Sequence, residues 1–237
     1  ADHHESRDYF ELRTYHVESA EQRDKLVAFA GEAAIPALNR LEVRPVGVFL
    51  PMDDAEVGPV YVLIPHKSAE SVVTLKQRLI SDGQFLDSAG DLLDAPAESP
   101  AYSRVESSLL VAFKGMPHLE TPVKSPGRVL QLRIYESPSE KTGQKKIEMF
   151  NDAGELAIFR DVGLHPVFFG EALVGSKLPN LTYMLAFESD EQRKANWKKF
   201  VSDPRWAALK KMDEYADKNI LSNITNIMLK PAACSQI

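Results

Sequence analysis

The chain has 237 residues, 44% hydrophobic and 26% charged, with a formal net charge of −6. That composition excludes the disordered and fibrous classes, and the acidic balance argues against a nucleic-acid partner, which needs a concentrated basic surface. No run approaches the roughly 20 apolar residues that cross a bilayer, and the one cysteine, Cys234, allows no intramolecular disulfide that would mark a compartment.

The start at Ala1-Asp2-His3-His4-Glu5 is consistent with removal of a signal or transit segment, exported, periplasmic or organellar. A first strand is predicted over Tyr9 to Val17. Ser19 with Gln22 then makes a capping-box pattern, and Leu26, Phe29, Ala30 and Ala33 follow at helical spacing. Pro36 is expected to break or restart that helix. A strand at Val46 to Leu50, a hairpin loop at Met52 to Gly58 and a strand at Val60 to Ile64 come next. A helix from Ser68, a short amphipathic turn from Phe85 to Leu93 and a strand from Ser107 to Phe113 complete the first half.

Gly115 to Gly127 holds Pro117, Pro122 and Pro126 without a hydrophobic period and reads as a linker. The second half repeats the order. A strand at Val129 to Tyr135 leads to a helical region at Glu140 to Asp161, interrupted near Gly154. The basic cluster Lys141 to Lys146 in it reads as a solvated helix start. Strands at Val167 to Gly170 and Leu181 to Phe187, a helix capped by Ser189 with Gln192, a short helix at Trp206 to Tyr215 and a strand at Ile224 to Leu229 follow.

The repetition extends to residues. Glu11-Leu12-Arg13-Thr14-Tyr15 returns as Gln131-Leu132-Arg133-Ile134-Tyr135, 120 positions on. Pro45-Val46 answers to Pro166-Val167, and Ser81-Asp82 to Ser202-Asp203, at an offset of 121. An α+β fold is therefore expected: two tandem ferredoxin-like (βαββαβ) modules at 9–113 and 129–230, joined by a linker at 114–128, packed sheet to sheet as a pseudo-dimer of the dimeric α/β-barrel kind. Alternation assigns Phe10, Leu12, Leu130, Leu132 and Ile134 to the helix-facing side. Glu11, Arg13 and Tyr15, with Gln131, Arg133 and Tyr135, are assigned to the space between the sheets.

The repeated Leu-Arg-x-Tyr strand, Lys114-Gly115-Met116-Pro117 and Ser202-Asp203-Pro204-Arg205-Trp206 together resemble the NIPSNAP family, over about Tyr9 to Lys230. The N-terminal copy departs from the pattern, with Gly83-Gln84-Phe85 where the family favours Pro-x-Trp. The resemblance implies a tandem dimeric α/β barrel. For the eukaryotic branch it implies a mitochondrial setting with roles in vesicle traffic and organelle quality control, and it carries over no catalytic residue.

Glu11, Arg13, Tyr15, Gln131, Arg133 and Tyr135 are the candidate ligand-binding residues of a barrel cavity. A guanidinium in an enclosed space binds a carboxylate or phosphate in bidentate fashion, and tyrosines on the same face can donate to the same ligand. The alternative is that Arg13 pairs with Glu11, and Arg133 with a neighbouring carboxylate or carbonyl, as structural networks. His165 raises the question of a haem ligand, but its first-half counterpart is Arg44 and it reads as a surface residue. His16, His66 and His118 lack partners at metal-ligand spacing, and Ala1-Asp2-His3 is a copper or nickel chelate only if Ala1 carries a free amine. Trp197, Phe200 and Trp206 read as core anchors before ligand contacts. No cofactor is expected. The expected partners are a small anionic or amphipathic molecule and further copies of the chain, since edge strands remain wherever a barrel does not close. Small-ligand binding or protein interaction is the leading reading, and a cofactor-independent monooxygenase-like enzyme is the alternative.

Overall fold

In the computed structural model, residues 6–53 and 57–237 are described. The chelate motif at the start and part of the predicted hairpin loop, residues 54–56, lie outside them. The fold is mixed α/β. Eight strands are β1 (Tyr9–His16), β2 (Gly47–Pro51), β3 (Val60–His66), β4 (Arg104–Ala112), β5 (Val129–Glu136), β6 (His165–Val174), β7 (Asn180–Phe187) and β8 (Asn223–Pro231). They follow one barrel-like order of neighbours, β1-β3-β2-β8-β5-β7-β6-β4, and every pairing given by register is antiparallel. No helix among the described residues is long and apolar enough to cross a membrane.

The chain divides into two compact units. One comprises Asp8–Leu109 with Leu229–Ile237, the other Ala1–Arg7 with Leu110–Met228, so the residues of β4 and β8 are divided between the two. In the N-terminal unit, α1 (Ala20–Phe29) starts where Ser19 Oγ accepts from the Gln22 amide at 3.1 Å. The helix restarts at Pro36, one of the two outcomes expected of it. A π turn at Ala30–Ala34, with the Ile35 N–H donating to the Ala30 carbonyl, lets the chain continue into α2 (Ile35–Arg40) with Pro36 in its first turn, where no intrahelical N–H is needed. Helices α3 (Ala69–Ile80) and α4 (Gly83–Leu93) complete this unit. Leu26, Ala30, Leu38 and Leu75 from its helices pack on Val48, Val60 and Ile64 of its strands, and each buried Leu, Val or Ile stabilises the fold by roughly 1.5–3 kcal/mol.

The C-terminal unit holds α5 (Glu140–Asn151), α6 (Glu155–Asp161), α7 (Asp190–Ser202), α8 (Pro204–Leu209) and α9 (Asp217–Ile220). Ser139 and Thr142 form a reciprocal capping box at the start of α5, and Gly154, at φ +98°, turns the chain between α5 and α6 as only glycine does readily. Phe150, Phe159, Phe169 and Tyr183 are all buried, with the Phe169 and Tyr183 rings stacked at 4.5 Å and Phe150 edge-on to Phe159 at 5.5 Å. The 114–128 segment is held to this unit: the Gly115 amide donates to Asn151 Oδ1 at 2.9 Å, and Arg160 clasps the Glu120 carboxylate with both Nη atoms.

Candidate functional site

The candidate residues lie on the helix-bearing side of their strands, opposite to the side assigned by alternation alone. In the N-terminal unit Tyr15 packs against the core that contains Leu26, Leu38 and Leu75. In the C-terminal unit Tyr135 meets Phe150 of α5, and Gln131 accepts from Trp197 Nε1 of α7 at 2.7 Å. Both rows of alternating residues are largely buried, Phe10 and Leu130 as completely as any, so hydrophobic alternation had nothing to distinguish the two faces.

In the N-terminal unit the polar row is closed on itself. Arg13 donates to Glu11 Oε2 through Nη2 at 2.6 Å and Nε at 3.1 Å, and to Tyr15 Oη at 3.3 Å. His66, fully buried at the end of β3, has Nδ1 at 2.8 Å from Ser71 Oγ and Nε2 at 3.7 Å from Glu11 Oε1. Ser71 Oγ also accepts from Arg78 at 3.0 Å, so the same hydroxyl links the imidazole to the guanidinium. Burial, with the Arg13 and Arg78 cations nearby, lowers the His66 pKa to about 4. This imidazole is neutral at pH 7 and belongs to a structural network.

The second copy of the motif is arranged differently. Gln131 donates to Asn226 Oδ1 at 2.8 Å while accepting from Trp197. The Arg133 guanidinium carbon lies 4.7 Å from the Trp197 ring centre and 5.2 Å from that of Tyr135. Its Nε is buried without a hydrogen-bond partner, and the group makes no ion pair among the described residues. Tyr135 and Tyr183 share a 2.7 Å hydroxyl contact, and burial raises the pKa of both, that of Tyr183 strongly. Beneath them Lys146, 1% exposed, contacts the buried Glu155 carboxylate at 3.1 Å. Burial pushes the Glu155 carboxyl above its ordinary range, with Lys146 pulling against it. The result is an aromatic-walled layer with one cation lacking an acceptor.

Four of these groups escaped the sequence reading. Lys146 does not belong to a solvated run: it faces inward with Met149 and Phe150, three and four positions on along α5, a spacing that puts all three on one face. Glu155, His66 and Tyr183 gave no signal. His165 is exposed at the first residue of β6. Phe200 is a buried anchor as expected, whereas Trp197 and Trp206 are half-buried around it. Among the described residues, no group of three or more His, Cys, Asp and Glu is placed to hold a metal ion.

Residues 130–236 match the NIPSNAP family model, so the C-terminal half carries a NIPSNAP domain. No curated protein matches the chain in sequence. Among solved structures, a "putative monooxygenase" from Lactobacillus acidophilus NCFM is similar at a TM-score of 0.63 and 10% identity, over 95% of this chain and 94% of that one. An anthrone oxidase-like protein is similar at 0.57 and 10% identity, over 96% and 92%. A NIPSNAP family protein from Agrobacterium tumefaciens is similar at 0.41 and 20% identity, over 46% of this chain and 98% of that one.

Proposed function

We propose, starting from the NIPSNAP domain at residues 130–236, that the chain is a small-ligand-binding protein whose ligand presents an anionic head to Arg133. The observation that supports this reading is the contrast within the repeated motif: Arg13 is satisfied by Glu11, while Arg133 has aromatic faces and no acceptor among the described residues. A guanidinium in a partly dry layer gains most from a bidentate carboxylate or phosphate, and Trp197 and Tyr135 suit an apolar or aromatic body behind that head. On this reading Gln131 and Tyr135 complete the C-terminal site, and Glu11, Arg13 and Tyr15 are its structural counterpart. The architecture behind it is a tandem duplication of ferredoxin-like modules, 9–113 and 129–230 about a 114–128 linker, packed sheet to sheet as a pseudo-dimer, with further copies of the chain as partners.

Trp197 supplies the readout. In a Trp206→Phe background the remaining indole lies against Arg133, so titration with decanoate should change its fluorescence saturably. Arg133→Met should abolish the response and Arg13→Met should leave it. An identical titration in Arg133→Met overturns the assignment. Light scattering on the same samples gives the subunit count.

The likeness to the two oxygenase-type folds motivates the second reading, a cofactor-independent monooxygenase-like enzyme. Arg133 would there stabilise the enolate of an activated methylene compound. Dioxygen would leave one oxygen on that carbon as a carbonyl and the other as water, the methylene supplying the electrons and both protons. Oxygen uptake with anthrone, lost in Arg133→Met, would support it; uptake no faster than in buffer would remove it.

A further inference from the structure

Where β5 ends and α5 begins, the C-terminal unit has a cleft of about 190 Å³ that has no part in the Arg133 reading. Ser137 lies four residues beyond Arg133 along the chain, about 13 Å at the rise of a strand. Acidic and apolar residues both line the cleft. Glu140, in the first turn of α5, and Glu171, on β6, both line it. Glu140 pairs with no cation among the described residues, and Glu171 receives only a neutral hydrogen bond, from Gln144 Nε2 at 2.6 Å. Ile147 and Leu178 supply apolar surface.

Ser137 adds an independent indication. It is 7% exposed and its amide is used, donating to the Pro179 carbonyl at 3.0 Å. Its hydroxyl lines the cleft and has no hydrogen-bond partner among the described residues. Gly143 keeps the space open: a Cβ there would stand 3.6 Å from Pro179 Cβ and 3.8 Å from Ser137 Oγ, ordinary contacts that occupy the cleft without a clash.

We propose that this cleft is a second small-molecule site, specific for a primary ammonium group on a short apolar body. Three N–H donors match three acceptors, the Glu140 and Glu171 carboxylates and the Ser137 hydroxyl, while the alkyl or aryl part lies on Ile147 and Leu178. The start of α5 contributes a partial positive charge of about half a unit, which two full carboxylates outweigh, so anions are disfavoured. A primary alkylamine stays protonated at pH 7, as a lysine side chain does.

The test is calorimetric titration of the intact chain with n-hexylamine hydrochloride, with sodium hexanoate and n-hexanol as controls of equal length. Hexylammonium should bind saturably with one site, and neither control should compete for it. Glu140→Gln with Glu171→Gln should weaken binding at least tenfold, and Gly143→Leu should abolish it with the thermal midpoint kept. Because the two glutamates are not core residues, that double variant remains informative if Gly143→Leu fails to fold. Absence of saturable hexylammonium binding, equal binding of hexanoate, or unchanged affinity in the double variant each overturns the site. Decanoate binding reported by Trp197 is independent of all these outcomes, so failure here leaves the Arg133 reading untouched.

Discussion

The Arg133 guanidinium lies 4.7 Å from the Trp197 ring centre and makes no ion pair among the described residues, whereas the Arg13 guanidinium, at the matching place in the first motif, contacts the Glu11 carboxylate at 2.6 Å. The two arginines should therefore differ in what they do for stability. Arg13→Met leaves the buried Glu11 without its cation and is expected to destabilise by about 3–5 kcal/mol. Arg133→Met removes a cation–π contact worth on the order of 1 kcal/mol and relieves a buried donor without a partner, so the net change should stay within about 1 kcal/mol of zero. Urea denaturation of the two variants checks this, and equal losses would show that Arg133 is structural.

Tyr135 and Tyr183 satisfy one another through a 2.7 Å hydroxyl contact where no water-exposed alternative exists. Removing either hydroxyl orphans the other, so Tyr135→Phe or Tyr183→Phe should each cost about 1–3 kcal/mol, while the double change should cost less than the sum because it leaves no unpaired group. Additive losses in the double-mutant cycle would mean that each hydroxyl has a separate partner.

Much of the element order was legible because it is written in local chemistry. Ser19 and Ser189 cap their helices as the sequence pattern requires, and Gly154 separates α5 from α6 where a helical run met a residue suited to left-handed backbone. The facing of the motif rows was not legible. Glu11, Arg13, Gln131 and Arg133 look like residues for the less apolar face, yet Glu11 is met by Arg13, Arg13 by Tyr15 and Gln131 by Trp197 and Asn226, while Arg133 lies on the rings of Trp197 and Tyr135. Pro36 marks the restart of the helix, as expected, but the π turn that joins α1 to α2 is one that no single residue announces.

Lys146 and Glu155 form an ion pair that is almost completely enclosed, at 3.1 Å, with Phe150 and Trp206 against the ammonium. Lys146→Met should destabilise by about 3–5 kcal/mol because Glu155 keeps its charge or must take up a proton without a partner. Lys146→Met combined with Glu155→Leu should recover most of that loss, since two apolar groups of similar size carry no desolvation penalty. Guanidinium titrations of the single and double variants test the pair, and a double variant as unstable as the single would show that packing geometry and not charge is the origin.

His66 makes the N-terminal unit sensitive to acid. Its folded pKa is lowered to about 4, below the 6.5 of an exposed imidazole, by burial first and by the Arg13 and Arg78 cations second. The unfolded chain therefore binds the extra proton through the window between those values while the folded chain does not. The contribution is intact above pH 6.5 and is lost as pH falls through about 4, a change on the order of 3 kcal/mol. The Glu11 carboxylate, 3.7 Å from the imidazole, favours the protonated form and limits the effect. His66→Gln keeps a hydrogen-bonding side chain without a titrating one, so its thermal midpoint should fall less than that of the parent chain between pH 7 and pH 4. Parallel midpoint curves for the two proteins would assign the acid sensitivity to other groups.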